Sequence, residues 1–506
     1  MPRTRNSKQG STKPYSARWT QLKSDARNVF GIERIRAGQV EVLEALMAGQ
    51  HVLAIMPTGS GKSLCYQLAS LSLPGTTVIV SPLISLMKDQ ADKLRAIGLS
   101  ASQVNSTLTK RERAEDLDAV EQHQIEFVFT TPEQLADSEF VSALRASGIN
   151  LLVIDEAHCI SEWGHDFRPS YLLLQNAIRA LGDPQVLALT ATATEEVIED
   201  IGRQLGLPGM TVINTGILRP NLCLEVIRTV NEEEKLSQLA SLLQDIRGSG
   251  IVYCSTVRNV EQVSTYLNGR GANSRRYHGK VKTAERNEVQ DQFMTGRCRM
   301  IVATNAFGMG IDKPNIRFVI HFNVPASLEE YYQEAGRAGR DGEPARCILL
   351  YQLSDRRLHS FLMLGRYPSA EEITAVYQEL QRLQRRELAP QLAAIEEGAH
   401  VGRRKTRVTL SMLKQAGKLR QNRGTRFRLI GDNLTDEALH GMAEEYEERA
   451  DNDRARLEQM MLYGQIGSCR WKFMLDYFGE EVEWDHCGHC DNCLVPAETR
   501  IGAPHS

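Results

Sequence analysis

Short apolar runs rich in β-branched residues recur along the first two thirds of the chain, separated by stretches suited to helix. Between Gln50 and about Thr215 they read "HVLAIM", "TTVIVS", "IEFVFT", "LLVIDE" and "QVLALT". Such alternation predicts a parallel sheet flanked by helices. It starts again after Pro220 with "GIVYCS", "RMIVAT", "IRFVIHF" and "RCILLY". Two α/β domains in tandem are expected, joined near "LRPNL" (Leu218–Leu222). Beyond Leu353 the rhythm stops and long polar, helix-favouring runs take over, such as "AEEITAVYQELQRLQRRELAPQL".

A chain of 506 residues is too long for one core. The pattern divides it into a polar basic arm over 1–16, expected to be disordered, and α/β domains over 17–216 and 217–353. A mostly helical region over 354–458, a cysteine-bearing subdomain over 459–496 and a tail over 497–506 complete the division. A net charge of −3 decides nothing about partners, because the charge is uneven: Val401–Arg428 holds many Lys and Arg and no acid, whereas Asp436–Glu458 is rich in acids. The arm lacks the apolar core of a secretory signal, and no 18-residue apolar run suggests a membrane span, so a cytosolic location is expected.

"AIMPTGSGKSLCYQL" (Ala54–Leu68) passes from a strand pattern through glycines into a helix pattern. In "PTGSGKS", Thr58, Gly59, Ser60 and Gly61 would turn backbone N–H groups toward a phosphate at a helix N-terminus. Lys62 would reach the β- and γ-phosphates and Ser63 would hold Mg²⁺. In "LLVIDEAH" (Leu151–His158), Asp155 and Glu156 follow a buried strand, at the end of the sheet where α/β ligands collect. Asp155 would hold Mg²⁺ and Glu156 would polarise the attacking water. In "YYQEAGRAGRDG" (Tyr331–Gly342), Arg337 and Arg340 lie three apart, expected on a helix facing the cleft, from which an arginine can neutralise the transferring phosphoryl group.

With these pieces in order the chain resembles the RecQ family of superfamily 2 helicases. The resemblance rests on "MPTGSGKS", "VSPLISLMKDQ", "TTPEQL", "DEAHCISEWGHDFRPSY", "ALTATAT", "RPNL", "ATNAFGMGIDKPNIR" and "QEAGRAGRDG", which cover about Phe30 to Tyr351. The general phosphate-loop pattern asks for Gly where this chain has Met56, yet "MPTG" matches the RecQ-like form. The resemblance implies that Gln39 reads the adenine edge with Arg36 supporting that segment. It also implies that Thr190, Ala191 and Thr192 couple hydrolysis to strand movement, that Gly310 and Asp312 line the cleft, and that Gln333 joins the catalytic set. This chain departs from the family pattern at Ile35 and Ile217, where the family has Phe.

The most RecQ-like stretch is "SEWGHDFRPSY" (Ser161–Tyr171). Trp163, Phe167 and Tyr171 offer flat faces for bases, Arg168 offers a phosphate or stacking contact, and His165 lies among them. The alternative is an aromatic loop packed on the core.

Near the C-terminus, Cys469, Cys487, Cys490 and Cys493 give C-x17-C-x2-C-x2-C. Four thiolates complete a tetrahedral, structural Zn²⁺ site and leave His486 and His489 unneeded. The spacing, with "YFGE" ahead of the triple cysteine, looks like the RecQ zinc subdomain. Cys65, Cys159, Cys223, Cys254, Cys298 and Cys347 sit among apolar neighbours and are expected to be buried thiols.

RecQ proteins usually place a winged helix after the zinc. Here Gly402–Ile430 precedes it, with a helix expected over Val408–Ala416 and a Gly-tipped hairpin in "NRGTRFRLI". We expect a winged-helix-like module whose Arg403, Arg404 and Arg407 contact DNA phosphates. The alternative is a solvated basic face paired with Asp436–Glu458. An accessory C-terminal strand-binding domain, found in some relatives, is expected to be missing.

The resulting expectation is an ATP- and Mg²⁺-dependent helicase acting on single-stranded and duplex DNA, 3′-to-5′ by resemblance, with a role in recombination or repair. An RNA helicase shares the core folds, and a DNA-binding or annealing scaffold would require a broken ATP site. None of Lys62, Asp155, Glu156 or Arg340 is missing.

Overall fold

The computed structural model describes residues 15–105, 108, 110–161, 163–164, 166–308, 311, 313–386, 389–422 and 426–495. A helix runs from Tyr15 to Asn28 and so takes in the last two residues of the segment expected to be an arm, whose residues 1–14 lie outside the described residues. The chain forms two compact units. One comprises 1–323, 329–350 and 466–506, the other 324–328 and 351–465.

The first unit holds two sheets. The strands of the first are β1 (Val52–Ile55), β2 (Thr76–Val80), β3 (Ala101–Val104), β4 (Phe127–Thr130), β5 (Ile149–Ile154), β6 (Gln185–Thr190) and β7 (Thr211–Asn214). They pair in the order β3-β4-β2-β5-β6-β1-β7, all parallel. Parallel sheets bury both faces, and the alternation is read directly in the packing. Leu53, Ile55, Val78, Val80, Leu152 and Ile154 enter one core, while Val52, Ala54, Ile79, Leu151 and Val153 enter the other.

The second sheet comprises β8 (Leu222–Arg228), β9 (Ser249–Tyr253), β10 (Ser274–Tyr277), β11 (Met300–Ala303), β12 (Ile316–His321) and β13 (Ala345–Tyr351), in the order β10-β11-β9-β12-β13-β8. Pairings among β9 to β13 are parallel. The two tandem sheets with flanking helices are the α/β domains that the apolar runs predict, in the RecA-like form that the helicase resemblance implies.

The cysteine-bearing segment belongs to this unit. Trp471, on the helix Arg470–Tyr477, is fully buried and its Nε1–H donates to the Leu222 carbonyl at 3.2 Å. Arg470, also buried, pairs with Asp491 at 2.5 and 3.0 Å, and Asp491 Oδ2 accepts the Val226 N–H at 2.9 Å. The segment is thereby fastened to β8, an edge strand whose free side needs covering.

The second unit has its own core around Ile373, Leu380, Ile395, Leu413 and Leu439. Helices Ala370–Gln384, Leu392–Gly398 and Arg403–Gln415 precede an antiparallel hairpin, β14 (Leu419–Asn422) and β15 (Arg426–Leu429). A bridge from Gln391 to Arg426 adds a third short strand position. This is the element order of a winged helix. The helix expected over Val408–Ala416 begins five residues earlier, at Arg403, because Arg and Lys favour helix as well as the apolar positions do. The hairpin tip, 423–425, lies outside the described residues. The acidic segment is one helix, Asp436–Tyr463, continuous past the boundary expected at 458.

Of the six scattered cysteines, five are buried, whereas Cys223 on edge strand β8 is half-exposed. Among the described residues, no helix is long and apolar enough to cross a membrane.

Candidate functional site

The loop Pro57–Gly61 joins β1 to the helix Lys62–Ser72. Gly59 and Gly61 have φ of 83° and 86°, which side chains rarely adopt. Neighbours also crowd both positions: a Cβ at Gly61 would lie 2.5 Å from Gln39 Nε2, and one at Gly59 3.0 Å from Arg340 Cγ, so each side chain would have to move aside. The loop therefore brings Gln39 and Arg340 against bare backbone.

Gln39 uses all of its amide there. Nε2–H donates to the Ser60 and Gly61 carbonyls at 3.0 and 3.2 Å, and Oε1 accepts the Arg36 N–H at 2.9 Å. Arg36 donates to the Gly59 carbonyl at 3.2 Å. Both residues expected to serve the base thus rest on the phosphate loop.

Asp155 and Glu156 follow β5 directly. Burial, reinforced by repulsion from Glu156 and opposed by Lys62, pushes the Asp155 carboxyl up to about 7. Ser81 Oγ–H donates to Asp155 Oδ2 at 3.4 Å. A buried acid held this high beside Lys62 and a hydroxyl suits a divalent cation, whose charge would favour the ionised form. Glu156 takes φ 50° and ψ 50°, an uncommon conformation for a non-glycine residue and a frequent one at functional sites.

Arg337 and Arg340 are not on a helix. The helix Leu328–Ala335 stops at Gly336, and Gly339 turns through φ 57°. A side chain at Gly336 would press on Tyr332 O at 3.0 Å and Thr58 Cβ at 3.3 Å, so glycine there permits the close approach that ends the helix. Arg337 donates to the Gly308 carbonyl, and Arg340 lies over the phosphate loop. Within the helix, Glu334 and His321 Nε2 share a hydrogen bond of 2.8 Å. Burial lowers His321 to about 3 and raises Glu334 well above the usual carboxyl range.

One cavity of about 680 Å³ gathers these groups: Arg36, Gln39, Thr58–Ser63, Asp155, Glu156, Gln333, Arg337 and Arg340 all line it. Gly310 and Asp312 lie outside the described residues. Sequence reasoning assigned no role to Arg219 of "RPNL", yet it donates to Thr58 O at 2.8 Å, Gly336 O at 3.2 Å, Ala338 O at 3.0 Å and Gly339 O at 2.7 Å. It ties the phosphate loop to the arginine loop through carbonyls, which leave no trace in a sequence.

The aromatic stretch is divided. Tyr171 is fully buried and its OH donates to the Asp155 carbonyl at 3.0 Å, so it is a strut rather than a face for bases. Trp163 is half-buried against the core, Phe167 and Arg168 are also half-exposed, and His165 lies outside the described residues. Arg168 bonds Asp166 Oδ2 at 2.9 Å and the Pro82 carbonyl at 3.3 Å. Behind them, Thr190 accepts from His158 Nδ1 at 2.9 Å and donates to Thr192 O at 3.0 Å. Thus Tyr171 and His158 link the aromatic stretch, the Asp155 strand end and the Thr190 turn.

The Sγ atoms of Cys469, Cys487, Cys490 and Cys493 all lie within 4.8 Å of one another. Cys487 and Cys493 are 3.8 Å apart, which matches the edge, about 3.8 Å, of a tetrahedron with Zn–S near 2.3 Å. Backbone N–H groups of Cys487 and Cys490 point at Cys469 Sγ and Cys487 Sγ, each at 3.3 Å, as thiolates require. The donor set fits Zn²⁺. His489 turns Nδ1 to the Cys487 carbonyl and is not needed as a ligand.

On the winged-helix-like module, Arg407 pairs with Glu396 at 2.7 Å, Arg403 approaches the same carboxylate at 3.8 Å, and Lys405 holds Glu372 at 2.7 Å. These partners lie on the two helices that precede the basic segment in the second unit, not in Asp436–Glu458. Arg404 is exposed.

Residues 36–201 match the DEAD/DEAH box helicase family, 234–342 the helicase conserved C-terminal domain, and 426–494 the RecQ zinc-binding family. The ATP-dependent DNA helicase RecQ of Bacillus subtilis is 36% identical over 466 residues, 92% of this chain and 65% of that protein. From the same organism, a protein named "Probable ATP-dependent DNA helicase RecS" is 35% identical over 478 residues, 93% of this chain and 92% of its own length. RecQ of Haemophilus influenzae is 41% identical over 331 residues, 65% of this chain and 53% of that protein. This chain thus spans about half to two thirds of those RecQ proteins and nearly all of the RecS protein. In fold it resembles the Mycobacterium smegmatis helicase Lhr bound to ssDNA and AMP-PNP, with TM-score 0.56, 21% identity, and coverage of 82% of this chain and 60% of that one.

Proposed function

This chain belongs to the RecQ family of helicases, and from that premise we propose that it is an ATP-dependent DNA helicase that separates duplex 3′-to-5′ in recombination or repair. The observation that carries the reading is the shared cavity, where Lys62, Asp155, Glu156 and Arg340 meet around the phosphate loop. The RecQ and RecS names favour DNA over RNA as the substrate.

The residues divide the work as follows. The N–H groups of Gly59 to Lys62 and the Lys62 ammonium receive the β- and γ-phosphates of ATP. Gln39 leaves the Ser60 and Gly61 carbonyls for the adenine edge, and Arg36 follows from Gly59. Ser63 and Asp155 would hold Mg²⁺, which when bound supplies charge neutralisation on the phosphates. Glu156 orients the attacking water. Arg340, with Arg337 released from Gly308, neutralises charge on the transferring group, and Gln333 lies alongside. Trp163, Phe167 and Arg168, with His165, receive single-stranded DNA. Tyr171 and His158 connect that contact to Asp155 and Thr190. Arg403, Arg404 and Arg407 contact duplex phosphates, and the cysteines hold structural zinc.

Two partial duplexes, one with a 3′ and one with a 5′ single-stranded tail, test this with ATP and Mg²⁺ beside a Lys62→Ala control. Unwinding of the 3′-tailed substrate alone, lost in the control, is expected. Unwinding of neither, despite DNA-stimulated ATP hydrolysis, would replace the helicase with a translocase.

A further inference from the structure

Between the helix Arg470–Tyr477 and the last three cysteines, the "YFGE" stretch turns back on the segment joining the two sheets. Glu480 Oε1 accepts the N–H of Ile217 at 2.8 Å. Its other oxygen lies over Gly216, where φ is 78° and a Cβ would come within 3.3 Å of Oε2. The opposite polar group of Ile217 is held as well, its carbonyl accepting the OH of buried Tyr332 at 2.7 Å. Two further contacts run from the same stretch to the helix Leu328–Ala335. Tyr477 OH donates to Glu329 at 2.8 Å, and the Phe478 ring stands 5.9 Å from that of Tyr332.

Both backbone polar groups of one residue in the crossing between the sheets, Ile217, are therefore held, one by the zinc-bearing segment and the other by the helix that leads into Arg337 and Arg340. Two residues further on, Arg219 spans the phosphate loop and the arginine loop. Glu480 touches neither nucleotide groups nor the cavity, and nothing in the chemistry of zinc requires it. Glu480 is half-buried, and its carboxylate is held by the Ile217 N–H and by the Asn214 side chain at the end of β7. Spending a partly desolvated carboxylate on the crossing segment is costly unless the course of that backbone matters.

We propose that Glu480 is a positioning residue for ATP hydrolysis, fixing the Ile217 peptide so that the zinc-bearing segment sets how Arg219 and the Arg337–Arg340 loop meet the phosphate loop. This rests on the reading of the cavity as an ATP hydrolysis site. The device makes loss of the zinc segment's grip a loss of catalytic alignment, with nucleotide and DNA binding largely kept.

The test uses the full zinc-loaded chain as wild type, Glu480→Ala and Glu480→Gln. Gln retains a carbonyl acceptor for Ile217 N–H, whereas Ala does not. Glu480→Ala is expected to lower kcat for DNA-stimulated ATP hydrolysis about tenfold or more, as small misplacements of catalytic groups do. KM for ATP and zinc content should stay within about twofold of wild type, and Glu480→Gln should recover most of kcat. Amide exchange, followed without nucleotide, gives an independent readout: Ala should speed exchange both at 214–221 and at 336–340. Unchanged kcat in Glu480→Ala, equal impairment of Ala and Gln, or faster exchange confined to 214–221 would each overturn the proposal. If the wild type itself hydrolyses no ATP with DNA, the hydrolysis reading fails separately, and the exchange pattern alone decides whether Glu480 governs the arginine loop.

Discussion

Arg219 donates to four backbone carbonyls and, through Nε, to Asn221 Oδ1 at 3.4 Å. A guanidinium can serve that many acceptors because its donors are fixed in a plane, whereas an ammonium is a point with three rotatable donors. Burial lowers the pKa of Arg219, and its guanidinium is held in place by those carbonyls. Arg219→Lys keeps the charge but cannot reach Thr58 and Gly339 together. We expect kcat for ATP hydrolysis to fall about tenfold, equivalent to about 1.4 kcal/mol of transition-state stabilisation. Steady-state hydrolysis at saturating DNA measures this, and wild-type kcat in the lysine variant would show that the arginine loop is seated without the fork. At this scale Lys62, Asp155 and Glu156 were legible, because the chemistry demands particular side chains at fixed spacing from a strand. The role of Arg219 was not, since any residue supplies a carbonyl. Arg337 and Arg340 were found as residues but placed on a helix, because three-residue spacing imitates helical periodicity where the glycines in fact break it.

Among the strands, those missed by apolar runs are β3 and β7 in the first sheet and β8 and β10 in the second, and all four are sheet edges. An edge strand keeps one side toward solvent and so mixes polar residues into its sequence, as "SRRY" and "LCLEVIR" do. Central strands, buried on both faces, are continuous apolar runs and were all recognised. The hairpin was also legible, yet its chemistry differs from that expected of the module. Arg420 stands directly opposite Arg428 across the two strands, and both are exposed. Like charges so placed disfavour the hairpin unless an anion lies between them. On the neighbouring helix, Arg403 and Arg407 already share Glu396. Duplex DNA should therefore depend more on the hairpin pair than on that helix pair. Changing Arg420 and Arg428 to Ala is expected to flatten the log affinity against log salt slope by about two, at about 0.9 for each phosphate contact. The Arg403→Ala, Arg407→Ala double variant should change it less. Fluorescence anisotropy with labelled duplex between roughly 50 and 200 mM salt decides, and the reverse ranking would return the contact to the helix. Melting of the hairpin variant should not be lowered, because a repulsion is removed.

Across the whole molecule, the chain divides into two units whose apolar cores are separate, those of the two sheets and that around Ile373 and Leu413. Separate cores lose cooperativity with one another, so heating should produce more than one transition. All four cysteines belong to the first unit, and the ties from their segment go to Leu222, Val226 and Ile217 of that same unit. Zinc binds the folded arrangement of thiolates far better than the unfolded chain, so its binding energy is delivered where those ties lead. At a zinc concentration one thousand times its dissociation constant the contribution is about 4 kcal/mol. Calorimetry of the full chain, with zinc and after stripping by a chelator, should show one transition falling by several degrees while the other stays. The transition that moves should also be the one raised by a non-hydrolysable ATP analogue, because the cavity that would receive it lies wholly within the first unit. Were both transitions to fall together on zinc removal, the two units would be one cooperative body. Were the zinc-sensitive and nucleotide-sensitive transitions different, the grip of the zinc-bearing segment on the segment joining the two sheets would be too weak to matter to the ATP site.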